Sequence, residues 1–225
     1  MLLLGFDTAT AAVTVALHDG DRVLAETATI DARRHGEVLV PSIAAVLAEA
    51  GFAMAAVTAV AAGIGPGPYT GLRVGLITAR ALGAALRVPV HGVCTLDVIA
   101  HAAVHSPGNG PPATAPSGHF LVATDARRKE VYWAEYAADG TRLSAPAVNR
   151  PSELPRGRQA AGQGAWLYPE AFGGLLEPRY PTAAALTGLI AHRLAQGAPL
   201  PPPHPLYLRL PDARAPGPVK AVTPR

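Results

Sequence analysis

The segment Gly63-Ile-Gly-Pro-Gly-Pro-Tyr-Thr-Gly-Leu-Arg-Val-Gly75 constrains this chain more than any other. An apolar run at 57–62 leads into it, and a helical pattern at 72–86 leads out. That order reads as a buried strand, a glycine-dense turn and a helix start. Such a junction can aim several backbone N–H groups at one point, where the helix dipole adds positive potential. Two familiar phosphate loops fail here. The dinucleotide fingerprint finds Gly65 and Gly67 in place but Thr70 where its last glycine belongs. The P-loop needs a lysine at its end, and the first lysine anywhere is Lys129. The segment suits a nucleotide-handling α/β fold and lacks the cation that usually holds phosphates.

At 225 residues the chain has room for one large domain or two small ones. Aromatic residues make up only 5%, so alanine, valine and leucine must fill the core. The net charge of +3 is modest, and only Arg33-Arg34 and Arg127-Arg128-Lys129 cluster, so no basic patch interleaved with aromatics marks a direct RNA-binding face. Cys94 is the only cysteine, which excludes an intramolecular disulfide and suits a reducing compartment. The opening residues carry no basic stretch and meet Asp7 at once, unlike a secretory leader. The longest uncharged span, 50–72, is broken by Pro66, Pro68 and several glycines, against a membrane helix. A cytoplasmic protein with no membrane partner is expected.

Periodicity predicts strands at 2–6, 13–17 and 23–30, the last two joined at Asp19-Gly20-Asp21. Helical spacing covers 33–50, where Pro41 implies either a start near Val40 or a kink. A strand at 57–62, a helix at 72–86, a strand at 88–93 and a helix at 95–103 capped by Thr95 follow. Residues 106–118 read as a flexible, proline- and glycine-rich loop. Strands at 120–124 and 130–136 flank Asp125-Ala-Arg-Arg-Lys129. One further helix spans 182–196, with Gly197 after it. The tail from Pro199 is proline-rich around the apolar 206–210. No internal repeat of fixed period stands out.

Taken in order, Asp7-Thr-Ala-Thr10, His35-Gly-Glu37, Gly65-Pro-Gly-Pro-Tyr-Thr-Gly-Leu-Arg73, Asp125-Ala-Arg127, Glu130-Val-Tyr132 and Tyr207-Leu-Arg209 resemble the bacterial TsaB (YeaZ) family. The match covers most of the chain, and its glycine segment is the most specific part. Pro68-Tyr69 stands where the family usually has Ser-Phe, and Gly36 where it has Ser. The resemblance implies a degenerate α/β fold in two lobes, of the actin/sugar kinase/Hsp70 type. The lobes would span 1–104 and 119–225 around a flexible 105–118 loop, with the tail returning to the first lobe. It further implies a non-catalytic partner of the catalytic subunit TsaD, in the complex that adds threonylcarbamoyl to adenosine 37 of tRNAs reading ANN codons. A TsaE homologue would join as a third component, tRNA would be met indirectly, and the chain would form a homodimer when alone. No cofactor of its own is implied, with ATP or ADP placed at the joint between partners.

Asp7, Thr8 and Thr10 lie where this superfamily puts its first phosphate hairpin, and Gly65 and Gly67 stand nearby as a vestigial nucleotide site. The other reading is that Asp7 ends a strand and caps a turn. The catalytic relatives hold a metal through two histidines four residues apart, but Leu39 occupies that place after His35, so no metal is expected. Gly71, Gly75, Ala79 and Gly83 form a stripe of small residues that admits either a partner or the chain's own sheet. The resemblance implies that helices near 38–50 and 70–86 pair with those of the partner, with Val40, Ile43, Leu47, Leu72, Arg73, Leu76 and Arg80 as contacts. Cys94 reads as a buried structural cysteine. A rival function remains a small ATPase or kinase of the same fold, resting on Asp7 and the glycine loop; another is a homodimeric regulatory protein.

Overall fold

The structure, a computed structural model, describes residues 1–105 and 115–209. The three opening runs form an antiparallel meander, β1 (Leu3–Asp7), β2 (Ala12–His18) and β3 (Val23–Ile30). The Asp19 carboxylate closes its second turn by accepting the N–H groups of Asp21 and Arg22, both at 2.8 Å. β4 (Ala59–Gly63) and β5 (Val90–Val93) then join in parallel, giving the order β3-β2-β1-β4-β5. Each parallel crossover carries a helix, as right-handed βαβ geometry requires. These are α1 (His35–Glu49) and α2 (Tyr69–Leu86).

Helix α1 does not wait for Val40. It begins at His35, whose Nε2 lies 2.7 Å from the Thr10 carbonyl in a buried contact. Pro41 therefore sits inside the helix and removes one hydrogen bond, a cost of about 3 kcal/mol. Burial of Leu39, Ile43, Val46 and Leu47 against the sheet offsets it, at roughly 1.5–3 kcal/mol for each large side chain.

After α3 (Thr95–Val104) the pattern repeats. A second meander, β6 (Phe120–Asp125), β7 (Val131–Tyr136) and β8 (Ala147–Asn149), is followed by parallel strands β9 (Gln159–Ala161) and β10 (Gly174–Leu176). Its order, β8-β7-β6-β9-β10, repeats that of the first sheet element for element. A short α4 (Gln163–Leu167) occupies the crossover that α2 fills in the first lobe, and α5 (Ala183–Ala195) follows β10 as α3 follows β5. This is the two-lobed α/β architecture of the actin/sugar kinase/Hsp70 type.

The two trailing helices exchange sheets. α5 lays Leu186, Leu189 and Ile190 against Leu3, Ala59, Ala61 and Val93 of the first sheet. α3 lays Leu96, Ile99 and Ala103 against Phe120, Val122 and Tyr136 of the second. On the opposite face of the first sheet, Leu4, Phe6, Val60 and Ala62 pack under α1 and α2. Alternation along β1 and β4 thus feeds two helical layers at once.

Thr95 opens α3 without capping it; the N-cap position belongs to Cys94 and makes no side-chain cap bond. Thr182 does cap α5, accepting from the Ala185 N–H at 3.2 Å, and Gly197 follows that helix at φ 65°. The fifth strand begins at Val90 rather than Val88. Residues 206–209 form no strand; the Leu206 N–H donates to the Ile64 carbonyl at 2.8 Å instead. Of the 106–118 loop, residues 106–114 lie outside the described residues.

The helical register of α1 is testable. Leu39→Ala should cost about 2–5 kcal/mol, whereas Val40→Ala, at an exposed position, should stay within about 0.5 kcal/mol of the parent. Urea unfolding followed by circular dichroism measures both, and equal losses would show the register to be wrong.

Candidate functional site

The end of β1, the glycine loop and the start of α2 close on one another. Asp7 is 1% exposed. Its Oδ1 accepts the Ala9 N–H at 2.7 Å, and its Oδ2 accepts the Thr95 hydroxyl at 2.7 Å. The neighbouring Thr8 hydroxyl donates to the Gly71 carbonyl at 2.8 Å and accepts from the Gly75 N–H at 3.1 Å. Thr10 turns its hydroxyl back to the Ala12 N–H at 3.2 Å.

These bonds need glycine on the other side. A Cβ at Gly63 would overlap the Asp7 carboxylate, one at Gly67 the Ala9 carbonyl, one at Gly71 the Thr8 carbonyl and one at Gly75 the Thr8 hydroxyl. The small-residue stripe on α2 therefore faces its own sheet, and Gly83 continues it against Val90. Gly65 adopts φ 94°, a conformation that favours glycine, and its carbonyl accepts the Thr95 N–H at 2.8 Å.

Burial is the largest influence on Asp7 and raises its pKa above the ordinary 3.8, against the lowering effects of the Ala9 N–H, the Thr95 hydroxyl and His35. The equivalent residue of the second meander, Asp125, repeats the turn by accepting the Arg127 N–H at 2.7 Å. Arg127, Arg128 and Lys129 follow with φ of 60°, 56° and 60°. A cleft of about 240 Å³ opens between the tip of the first hairpin and the starts of α1 and α2, with Arg33, His35 and Arg127 on its walls. The sequence brought Asp7, Thr8, Thr10, Gly65 and Gly67 forward as one site, and they do meet. The Asp7 carboxylate and the Thr8 and Thr10 hydroxyls are spent on Ala9, Thr95, Gly71, Gly75 and Ala12, within the chain. Thr95, which completes the Asp7 cluster, was read only as a helix cap.

Cys94 is buried, and burial pushes its thiol up to about 12, which leaves it inert at neutral pH. Among the described residues no three histidine, cysteine or carboxylate side chains are placed to hold a metal ion. No helix of the described residues is long and apolar enough to cross a membrane.

The proposed contact face needs a correction. Ile43, Leu47, Leu72 and Leu76 are at most 5% exposed, because their helical spacing turns them onto the chain's own sheet. They have almost no surface to give a partner, although Leu76 lines a groove along α2. Val40, Arg73 and Arg80 do face outward, and so does Ile77, 57% exposed, which the sequence reading passed over. Arg73 lies over the Tyr69 ring, 5.0 Å from its centroid, and donates to its hydroxyl. The Tyr207 ring stacks on Tyr69 at 5.4 Å. Together with Pro203 these side chains border a groove of about 310 Å³ along α2.

The Asp7 environment makes a signed prediction. The folded chain keeps a proton on Asp7 at pH values where the unfolded chain has released it, so this group's contribution to stability falls as pH rises through 3.8 toward the raised value. Asp7→Asn removes that loss. Urea midpoints measured from pH 4 to pH 7 should show the variant gaining on the parent as pH rises, and a constant difference would refute the raised pKa.

Comparison with known proteins completes the picture. A family profile described as tRNA N6-adenosine threonylcarbamoyltransferase (TsaD) matches residues 22–167. An uncharacterized protein of Mycobacterium tuberculosis (strain H37Rv) is 44% identical over 216 residues, 94% of this chain and 93% of its own length. An uncharacterized Mycobacterium leprae protein is 44% identical over 218 residues, and this chain spans only 56% of its length. The tRNA threonylcarbamoyladenosine biosynthesis protein TsaB of Escherichia coli is 33% identical over 171 residues, 74% of this chain and 70% of that protein. The crystal structure of YeaZ from Pseudomonas aeruginosa superposes with a TM-score of 0.75 at 31% identity, covering 92% of this chain and 99% of that one. With the doubled meander, the glycine seam and these relatives in hand, the chain belongs to the TsaB (YeaZ) family.

Proposed function

We propose that this chain acts in the synthesis of threonylcarbamoyladenosine on tRNA, as the non-catalytic partner of a TsaD-type subunit. That subunit would modify adenosine 37 of tRNAs reading ANN codons, with a TsaE homologue as third component. The names of the relatives support the pathway. The partner role rests on the contrast between two surfaces. The inner hairpin spends its carboxylate and hydroxyls within the chain, so little is left for chemistry. The outer face of α1 and α2 exposes Val40, Ile77, Arg73 and Arg80, and Tyr69 lies half-exposed against Tyr207. Exposed apolar side chains beside arginine and tyrosine are the composition of a protein interface. ATP or ADP would sit at the joint rather than in the hairpin, and the same face would pair two copies when TsaD is absent.

The rival ATPase reading is supported by Asp7 at the end of β1 and by the arginines of the neighbouring cleft. ATP turnover by the isolated chain, lost in Asp7→Ala, would decide for it. The partner reading expects threonylcarbamoylation only when this chain and its TsaD homologue are combined.

The face can be tested directly. Ile77→Glu and Val40→Glu should leave the chain folded and weaken co-purification with the TsaD homologue by at least about tenfold. Leu76→Glu and Ile43→Glu should instead unfold it, because they place a charge in the core. An intact complex with both surface variants would show the partner to dock elsewhere.

A further inference from the structure

A second cleft, of about 790 Å³, opens away from the first hairpin, between the ends of α3 and α5 and the turn between β7 and β8. Its floor is Asp97, whose Oδ1 accepts the Tyr136 hydroxyl at 2.9 Å and an N–H of Arg142 at 3.1 Å. Arg193 reaches the other oxygen only at 4.0 Å. One carboxylate thus orients two guanidiniums and uses few of their donors. One wall is His101 of α3 and His105, the residue after that helix, their rings stacked at 4.3 Å and the His105 Nδ1 lying 3.1 Å from the His101 carbonyl. The facing wall is His192 and Arg193 of α5. Asp139 stands at the rim, its carboxylate turned to the Thr141 N–H at 2.8 Å. Gly188 lines the same wall, with open space where a Cβ would be.

Helix C-termini attract basic side chains, and His101 on α3 with His192 and Arg193 on α5 stand in such last turns. Arg142 comes from a strand turn and His105 from beyond α3, so the helix dipoles do not account for the whole cluster. Three imidazoles suggest a metal, but the described residues place no three ligands on one ion, and two arginines oppose a cation. Asp97 meets Tyr136, Arg142 and Arg193 from three elements with one carboxylate, and the guanidinium donors it leaves over line the cleft with the imidazoles. A phosphate group, with more oxygens than a carboxylate, can take several of them at once. We propose that this cleft binds a phosphate group, either free or as a small phosphomonoester, between Arg142, Arg193 and the three histidines. A volume of this size is in the range of small-molecule sites.

The state of His101 agrees. Burial first, then the positive influence of His105, His192 and Arg193, holds it down to about 4. Asp97, Asp139, Arg142 and the Tyr136 hydroxyl complete the groups around the cleft. A bound dianion would reverse the repulsion from those three basic neighbours and draw a proton onto the imidazoles. Binding should therefore raise the pKa of His101 from that low value.

The test is calorimetric titration of the full chain with inorganic phosphate and, separately, with glycerol 3-phosphate, using chloride at matched ionic strength as control. Saturable binding is expected, with His101 ring signals in NMR moving to a higher pKa. Tighter binding of the ester identifies an organic phosphate as the ligand, and equal binding identifies free phosphate. The double substitution His192→Asn with Arg193→Gln should weaken binding at least about tenfold, and Arg22→Gln, far out on a turn, should not change it. Gly188→Leu gives an independent check, since it favours the helix and fills the cleft. Binding no stronger than that of chloride, unchanged affinity in both cleft variants, or an unmoved His101 would overturn the assignment.

Discussion

A single hydroxyl holds the first lobe in register. Thr8 bridges the carbonyl of Gly71 and the N–H of Gly75, and so fixes the rotation of α2 about its own axis. Glycine at 67, 71 and 75 lets the backbones come this close; any Cβ there would push the helix away. Once α2 is placed, Leu72 and Leu76 must enter the core, and Tyr69, Arg73, Ile77 and Arg80 must leave it. The buried seam and the exposed face are two sides of one constraint. Asp7 ties the same seam to the start of α3 through Thr95, and the Gly65 carbonyl repeats that tie from the loop.

Retention of Asp7 is costly in this setting. Its carboxylate is desolvated, and only two hydrogen bonds and a distant His35 favour its charged form. An apolar or amide side chain would serve stability better. The turn at Asp125 in the second meander repeats the same carboxylate-to-backbone bond.

Much of the fold was legible. The three opening strands, the glycine turn, α2 and α5 follow from period and punctuation, because each lies between clear breakers. Pro41 left the start of α1 open between Val40 and the beginning of the helical pattern, since propensity says nothing of the buried His35–Thr10 contact at the helix start. Of the second sheet only β6 and β7 were legible: β8, β9 and β10 have three residues each, too few to show a period. At the site, the pattern singled out Asp7, Thr8, Thr10, Gly65 and Gly67, and the glycines that press on Asp7 and Thr8 are Gly63, Gly71 and Gly75. It failed on the contact face for a physical reason. Apolar spacing marks the side of a helix that turns inward, so Ile43, Leu47, Leu72 and Leu76 were bound to be core. Ile77 breaks that spacing, and this was the available signal. Asp97, His101 and His105, four residues apart from α3 to the residue after it, were a visible hint of the second cleft, but their partners at 142 and 193 come from distant segments.

The exchange of α3 and α5 between sheets has a consequence for how the chain is made. Ribosomes deliver residues in order, and the first sheet is complete in sequence by Val93. Its face bearing Leu3, Ala59 and Ala61 nevertheless stays largely bare until Leu186 to Ile190 arrive. From Val93 until α5 is made, the nascent polypeptide therefore carries this apolar face with only Val98 of α3 to cover it. The two sheets mature together once α5 is in place, and a fragment that stops before α5 would be left adhesive.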